Sequence, residues 1–273
     1  MPTNLRHGGE VFEMGELTHL SLFSGIGGLD LAAEWAGFKT VGQCEYADYP
    51  YAVLQKHWPD VPKWRDVKDV TRLGLNAAGV GAITVVSGGF PCQPHSLAGK
   101  RKASNDERDL WSELLRVYCD TGAQWLVGEN VPGLLSSENG RFFGRILRDL
   151  AEVGSNAWWY CYPAYACGAK YYGERVCIVA TSNRIGRLCV DKDLQGRADA
   201  EYMESLGQWG TRQNNILPYP SRIESTRGSK NQRNDDGIPG GLDELKAYGN
   251  AVNPYQFFPI FKVIAEVENE TNL

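Results

Sequence analysis

A chain of 273 residues, 42% hydrophobic and 22% charged, has room for one well-buried domain and a small second lobe, but not for two full-sized domains. No apolar run approaches the roughly 20 residues of a membrane helix, and the stretch before Leu17 lacks a signal peptide's charged start and apolar core, so neither a membrane span nor export is expected. A net charge of −5 excludes coating of nucleic acid by bulk charge and leaves that role to local basic clusters.

Residues 1–16 read as a loose leader. From Thr18 to about Thr181 apolar runs alternate with amphipathic stretches, the pattern of an α/β fold. Leu20 to Phe23 reads as the first strand, followed by a glycine turn and a helix from Leu29 to Ala36. A second strand is expected at Val41 to Glu45 and a helix at Tyr49 to His57. Ile83 to Ser87, β-branched and closed by Gly88 and Gly89, has the look of a buried parallel strand. Trp125 to Val127 is another, and Arg175 to Ala180 reads as a late strand that closes the sheet. After Thr181, Gly, Asn, Ser, Arg and Gln dominate and periodicity disappears until about Gly241. A structureless loop of that length is improbable in a compact domain, so a small second domain is expected over 182–239. Helical patterning returns at Leu242 to Tyr248 and at Tyr255 to Val267.

Seven cysteines, at positions 44, 92, 119, 161, 167, 177 and 189, form no C-x-x-C pair and no metal-ligand spacing, which points to a reducing cytosolic setting and no metal. Two basic clusters stand out: Lys100, Arg101 and Lys102, and the set Arg212, Arg222, Arg227, Lys230 and Arg233. Taken alone, clusters of this kind are more often a solvated face than a phosphate contact.

Three segments carry chemistry. The turn Phe23-Ser-Gly-Ile-Gly-Gly28 joins a strand to a helix, where glycines let backbone N–H groups approach a ligand. A dinucleotide fingerprint would need glycine at position 30, which is Asp30, so an NAD site is disfavoured. Glu45, about 20 residues on, stands where an acid accepts ribose hydroxyls. The second segment, Gly88-Gly-Phe-Pro-Cys-Gln-Pro94, follows a buried strand and holds Cys92 in a backbone fixed by proline and glycine. The remaining six cysteines read as small buried hydrophobes. The third, Glu129-Asn-Val-Pro132, follows another buried strand, where desolvation would keep the Glu129 carboxyl protonated and able to act as an acid. A salt-bridging or capping role is the plain alternative for Glu129.

In order and spacing these segments resemble the DNA (cytosine-5)-methyltransferases. Leu22-Phe-Ser-Gly-Ile-Gly-Gly28 is similar to that family's cofactor motif, Gly89-Phe-Pro-Cys-Gln-Pro94 to its nucleophile motif, Glu129-Asn-Val131 to its acid motif and Gly249-Asn-Ala-Val252 to its closing motif. The resemblance implies a Rossmann-like S-adenosylmethionine-dependent methyltransferase sheet with helices on both faces, plus a small irregular target-recognition domain. The catalytic domain would be discontinuous, 17–181 and 240–273.

By the same resemblance, Phe23, Ser24, Gly25, Ile26, Gly27, Gly28, Glu45, Tyr46, Asp66, Val67, Pro91, Asn250 and Val252 would hold S-adenosylmethionine and its product S-adenosylhomocysteine. Phe23 would stack on the adenine, Glu45 would hold the ribose and Asp66 would meet the adenine amino group. Cys92 would be the nucleophile, Glu129 the acid at cytosine N3, and Arg175 the group on cytosine O2. Double-stranded DNA would be met by Gln93, Ser96, Lys100, Arg101, Lys102, Arg212, Arg222, Arg227 and Arg233. The implied protein is a monomeric cytoplasmic enzyme of a bacterial or phage-infected cell, in a restriction-modification setting with a possible cognate endonuclease. Ser21 stands where many members carry an acid, and Tyr171 and Gly173 stand where a glutamine and an arginine are usual. RNA cytosine methylation, or an inactive DNA-binding regulator, are the alternative readings.

Overall fold

The computed structural model describes residues 15–91, 110–169, 171–182 and 250–271. In chain order these form β1 (Thr18–Leu22), α1 (Gly28–Trp35), β2 (Lys39–Cys44), α2 (Asp48–His57), β3 (Lys63–Trp64), α3 (Arg72–Ala77) and β4 (Val85–Gly89). They continue with α4 (Leu110–Thr121), β5 (Trp125–Asn130), α5 (Gly133–Ser136), α6 (Arg141–Glu152), β6 (Ser155–Tyr162), β7 (Arg175–Ser182) and α7 (Pro254–Thr271). Among the described residues no helix is long and apolar enough to cross a membrane.

The seven strands form one sheet in the order β3-β2-β1-β4-β5-β7-β6. β1 pairs in parallel with both β2 and β4, so strand order reverses at β1 and opens a crevice at its carboxyl end. β7 runs antiparallel between β5 and β6. The late strand therefore does not close the sheet: β6 lies beyond it at the edge. Trp159 and Cys161 of β6 are exposed, which breaks the apolar run that marks a buried strand and hides this one in the sequence. Because β7 is inverted, its first residues lie beside the last residues of β5, with Val176 opposite Asn130. Arg175 thereby reaches the rim formed by the carboxyl ends of the parallel strands.

The period-two alternation of the strands builds two cores, one on each face. Leu20, Leu22, Val86, Leu126, Val176 and Ile178 face a cluster with Trp111, Leu114, Ile146 and Leu150 from α4 and α6. Val85, Trp125, Val127, Cys177 and Val179 face the opposite cluster, with Leu29 and Ala33 of α1 and Phe257, Phe261 and Ile264 of α7. Helix α7 is anchored there by rings, Trp35 to Tyr255 at 4.8 Å and Phe38 to Phe261 at 5.8 Å. A buried hydrogen bond of 2.7 Å from Trp125 Nε1 to Glu268 Oε1 adds to this anchoring. His19 is fully buried on this face, 2.7 Å from Ser87 Oγ, and burial pushes its imidazole pKa down to about 3, so the ring is neutral.

Candidate active site

The turn after β1 has the strained backbone that its glycines foretold. Gly25 and Gly27 take φ of 55° and 91°, and Phe23, a non-glycine residue, is held at 52°. Such a conformation costs a bulky side chain about 1–3 kcal/mol and persists where surrounding structure enforces it. Nothing lies within 4 Å of where a Gly25 Cβ would stand, so the turn opens onto free space. Gly27 has a different constraint, since a Cβ there would meet the Trp58 ring at 2.4 Å.

Gly28, the first residue of α1, is crossed by the C-terminal segment: a Cβ there would stand 2.3 Å from the Val252 carbonyl oxygen. The closing segment and the turn, more than 220 residues apart in the chain, are thus in van der Waals contact. Gly28→Ala should force that backbone away and cost about 1–3 kcal/mol of stability, measurable by urea denaturation. An unchanged midpoint would show that the tail yields freely.

Glu45 follows β2 and faces this turn. Its carboxylate accepts from Gly25 N at 2.8 Å and from Ala47 N at 2.7 Å. Both oxygens are held in place and retain lone pairs for a vicinal diol. Tyr46, next in the chain, is exposed. Asp66 precedes a short 3-10 turn (Val67–Asp69) and accepts from Lys68 N at 2.9 Å, while Val67 is buried beneath it. The open glycine backbone, the N-terminus of α1 and the half-exposed Glu45 suit an adenosine bearing a free ribose.

On the other side of the crevice, β4 ends in two glycines that pair with β5, Gly89 lying opposite Glu129. A Cβ on Gly89 would stand 2.7 Å from Glu129 Oε2. The second glycine therefore makes room for the carboxyl group. Arg175 Nε donates to Glu129 Oε1 at 2.9 Å, both side chains being mostly buried. Burial is the larger influence on Glu129 and the Arg175 charge opposes it; the net effect raises the carboxyl pKa to about 7. The acid expected at this position thus keeps a large share of its protonated form near pH 7, even with a guanidinium beside it.

Asn130, which the sequence marks only as the middle of Glu129-Asn-Val131, has a structural role. Its Nδ2 donates to Phe90 O at 2.8 Å, and its Oδ1 accepts from Val131 N at 2.9 Å. The end of β5 is thereby tied to the residue before Pro91, two positions ahead of Cys92. Gln256 was not anticipated either. Buried in α7, it donates to Tyr162 O at 2.6 Å and Gly173 O at 3.0 Å, and so holds the connection that delivers Arg175. A glutamine within an apolar helical pattern was the only sequence sign.

The structure brings together the turn, Glu45, Glu129, Arg175 and Val252 around one crevice. Pro91 is exposed at its edge, and Asn250 is an exposed turn residue. Cys92, Gln93, Ser96, Lys100, Arg101, Lys102, Arg212, Arg222, Arg227 and Arg233 lie outside the described residues. Among the described residues no cluster of His, Cys, Asp and Glu is arranged to hold a metal ion.

A profile of the family described as C-5 cytosine-specific DNA methylase matches residues 17–238. The chain belongs to this family. Among its relatives, the Type II methyltransferase M.HgiCII of Herpetosiphon aurantiacus is 30% identical over 174 residues, covering 63% of this chain and 39% of that one. The Type II methylase M.HgiEI of the same organism is 26% identical over 257 residues, covering 94% of this chain and 54% of that one. The chain thus spans about half or less of the length of these two relatives. In fold it is similar to a prophage-encoded E. coli protein described as a DNA modification methyltransferase, with a TM-score of 0.54 at 21% identity over 63% of this chain and 48% of that one.

For this member of the family the departures at Tyr171 and Gly173 acquire a structural form. Gly173 has φ of 44°, and a Cβ there would meet the Tyr171 ring at 2.4 Å. An arginine could not take this place without moving the tyrosine and changing the backbone. The two departures therefore belong to a single local conformation.

Proposed function

We propose that this chain transfers a methyl group from S-adenosylmethionine to C5 of a cytosine in duplex DNA, with Cys92 as nucleophile. The observation that carries the reading is the Glu129–Arg175 pair, 2.9 Å apart on the rim where Gly89 leads through Phe90 and Pro91 to Cys92. Phe23, the backbone of 24–28, Glu45, Asp66, Val67 and Val252 would hold the cofactor, with Glu45 on the ribose. When bound, the cofactor supplies an electrophilic methyl group on a sulfonium centre.

Cytosine C5 is too weak a nucleophile to take that methyl group directly. Addition of the Cys92 thiolate to C6 forms a carbon–sulfur bond and pushes electron density to C5, while the ring gains negative charge at N3. Glu129, protonated near neutrality, gives its proton to N3 and stabilises that charge. Arg175 holds cytosine O2 and fixes the Glu129 carboxyl through the same guanidinium. C5 then takes the methyl group, a base removes the C5 proton, the C5–C6 double bond re-forms, the Cys92 sulfur leaves with its electron pair and the N3 proton returns to the Glu129 carboxylate. A paired base lies out of reach of a thiol on a protein rim, so the cytosine leaves the helix at a cost of a few kcal/mol.

In this reading 17–181 and 240–273 form the catalytic domain and 182–239 a small recognition domain, whose arginines meet phosphates before bases. The enzyme acts as a monomer, and a cognate endonuclease fits the relatives' designation as Type II methyltransferases. Bisulfite sequencing of DNA from a host expressing the chain should reveal 5-methylcytosine within one short sequence. Assays of the purified protein on duplex DNA and on transfer RNA separate the two substrates. Methylation of RNA alone, or of neither by a protein that binds the cofactor, would overturn the DNA reading.

A further inference from the structure

Asp30, the residue that disfavoured a dinucleotide site, has no part in the chemistry above, yet it is fully buried at the third position of α1. Its Oδ2 accepts from Ser21 Oγ at 2.9 Å and its Oδ1 from Gln43 Nε2 at 2.8 Å. Ser21 lies on β1 two residues before Phe23, and Gln43 lies on β2 two residues before Glu45. One carboxylate therefore joins three elements: the strand that enters the glycine turn, the helix that leaves it and the strand that ends at Glu45. The nearby cation, Lys63, is engaged by the carbonyls of Trp58 and Val61. Burial raises the carboxyl pKa to about 6, with a small push from Glu34, while the bonds from Gln43 and Ser21 favour the anion, as does the positive end of the α1 dipole. The Gly25 N to Glu45 Oε2 bond of 2.8 Å spans the same two strand ends just above this junction.

We infer that Asp30 is a positioning residue for the cofactor: its two hydrogen bonds pin the start of α1 to the paired ends of β1 and β2, and so set where the turn backbone stands against the Glu45 carboxylate. The inference rests on reading the turn and Glu45 as the cofactor cradle. It also accounts for Ser21, which stands where many relatives carry an acid. Here the carboxylate comes from α1 and meets Ser21 of β1 and Gln43 of β2. A hydroxyl and a carboxylate 2.9 Å apart can exchange positions while preserving a bond between them.

The test is the dissociation constant of S-adenosylmethionine for the full chain, measured by calorimetry below the melting temperature of each variant, together with kcat at saturating cofactor on methylatable DNA. Asp30→Ser should weaken cofactor binding about tenfold or more, since small misplacements of binding groups are costly, while kcat changes little. Ser21→Asp alone sets two carboxylates against each other in a buried site and should weaken binding as well. The exchange, Ser21→Asp with Asp30→Ser, should return the affinity to within about threefold of wild type. Asp30→Asn controls for folding, because its amide keeps an acceptor for Ser21 and the buried Gln43 Oε1, which has no hydrogen-bond partner, can turn to meet the new donor. A smaller loss of affinity is expected there.

Wild-type affinity in Asp30→Ser and Asp30→Asn, with only the melting temperature lowered, would overturn the role. So would an exchange variant that binds no better than Asp30→Ser alone. A wild-type chain that fails to bind the cofactor would instead overturn the reading of the turn itself.

Discussion

Cys92→Ala should lower methyl transfer by about four orders of magnitude or more while leaving S-adenosylmethionine affinity within a few-fold of wild type. The separation follows from the architecture. The groups assigned to the cofactor stand on the turn after β1, the end of β2 and the segment at Val252, whereas Cys92 comes three residues after the end of β4 in the chain, past Phe90 and Pro91. Without the thiolate no bond forms at C6, and C5 lacks the electron density to accept a methyl group. DNA carrying 5-fluorocytosine at the target adds a direct readout, since fluorine at C5 cannot leave as a proton does and the adduct to sulfur persists. A denaturation-resistant complex should form with wild type and cofactor and be absent with Cys92→Ala. A complex formed equally by that variant would remove Cys92 from the mechanism, and loss of cofactor binding would make it a structural cysteine.

Glu129→Gln should reduce kcat by about 10²–10⁴-fold, the usual range for loss of a positioned acid, and should also change two pH dependences. Burial raises the Glu129 pKa from 4.5 to about 7 against the pull of Arg175, so the protonated, donating form declines as pH rises through about 7. The matching falling limb of the wild-type kcat profile should be missing in the variant. Stability carries the same sign. A folded-state pKa above the unfolded value favours folding fully below about pH 4.5, and that contribution is lost as pH rises towards 7. Stability of Glu129→Gln relative to wild type should therefore increase between those limits and level off above them, whatever the constant cost of leaving Arg175 without its anion. Urea denaturation at pH 4.5, 6 and 8 measures this. A flat difference would mean that Glu129 ionises normally despite its burial.

Much of the site was legible because its chemistry is local in the chain. Glycines at 25 and 27 announce a strand-to-helix turn, and the structure places that turn between β1 and α1 with φ of 55° and 91° at the two positions. The first two helices and the parallel strands β1, β2, β4 and β5 were placed within a few residues, since buried strands leave short apolar runs, whereas the two-residue parallel strand β3 was missed. The late strand was found but misplaced, and β6 was passed over, because an exposed edge strand need not alternate cleanly. Nothing in the sequence shows that β7 is inverted. That inversion, more than the identity of residue 175, is what sets Arg175 beside Glu129.

The sequence by itself determined the family, the glycine turn, the acid after β2, and the order of nucleophile, acid and arginine along the chain, since each depends on residue type and near-neighbour spacing. Only the tertiary structure decided what those groups meet. It showed that Gly89 clears space for the Glu129 carboxyl, that Gly28 admits the Val252 carbonyl, and that Asp30 of α1 bridges Ser21 of β1 and Gln43 of β2. These are contacts between segments far apart in the chain. They arise because packing two apolar cores against one sheet fixes distances that no local pattern encodes.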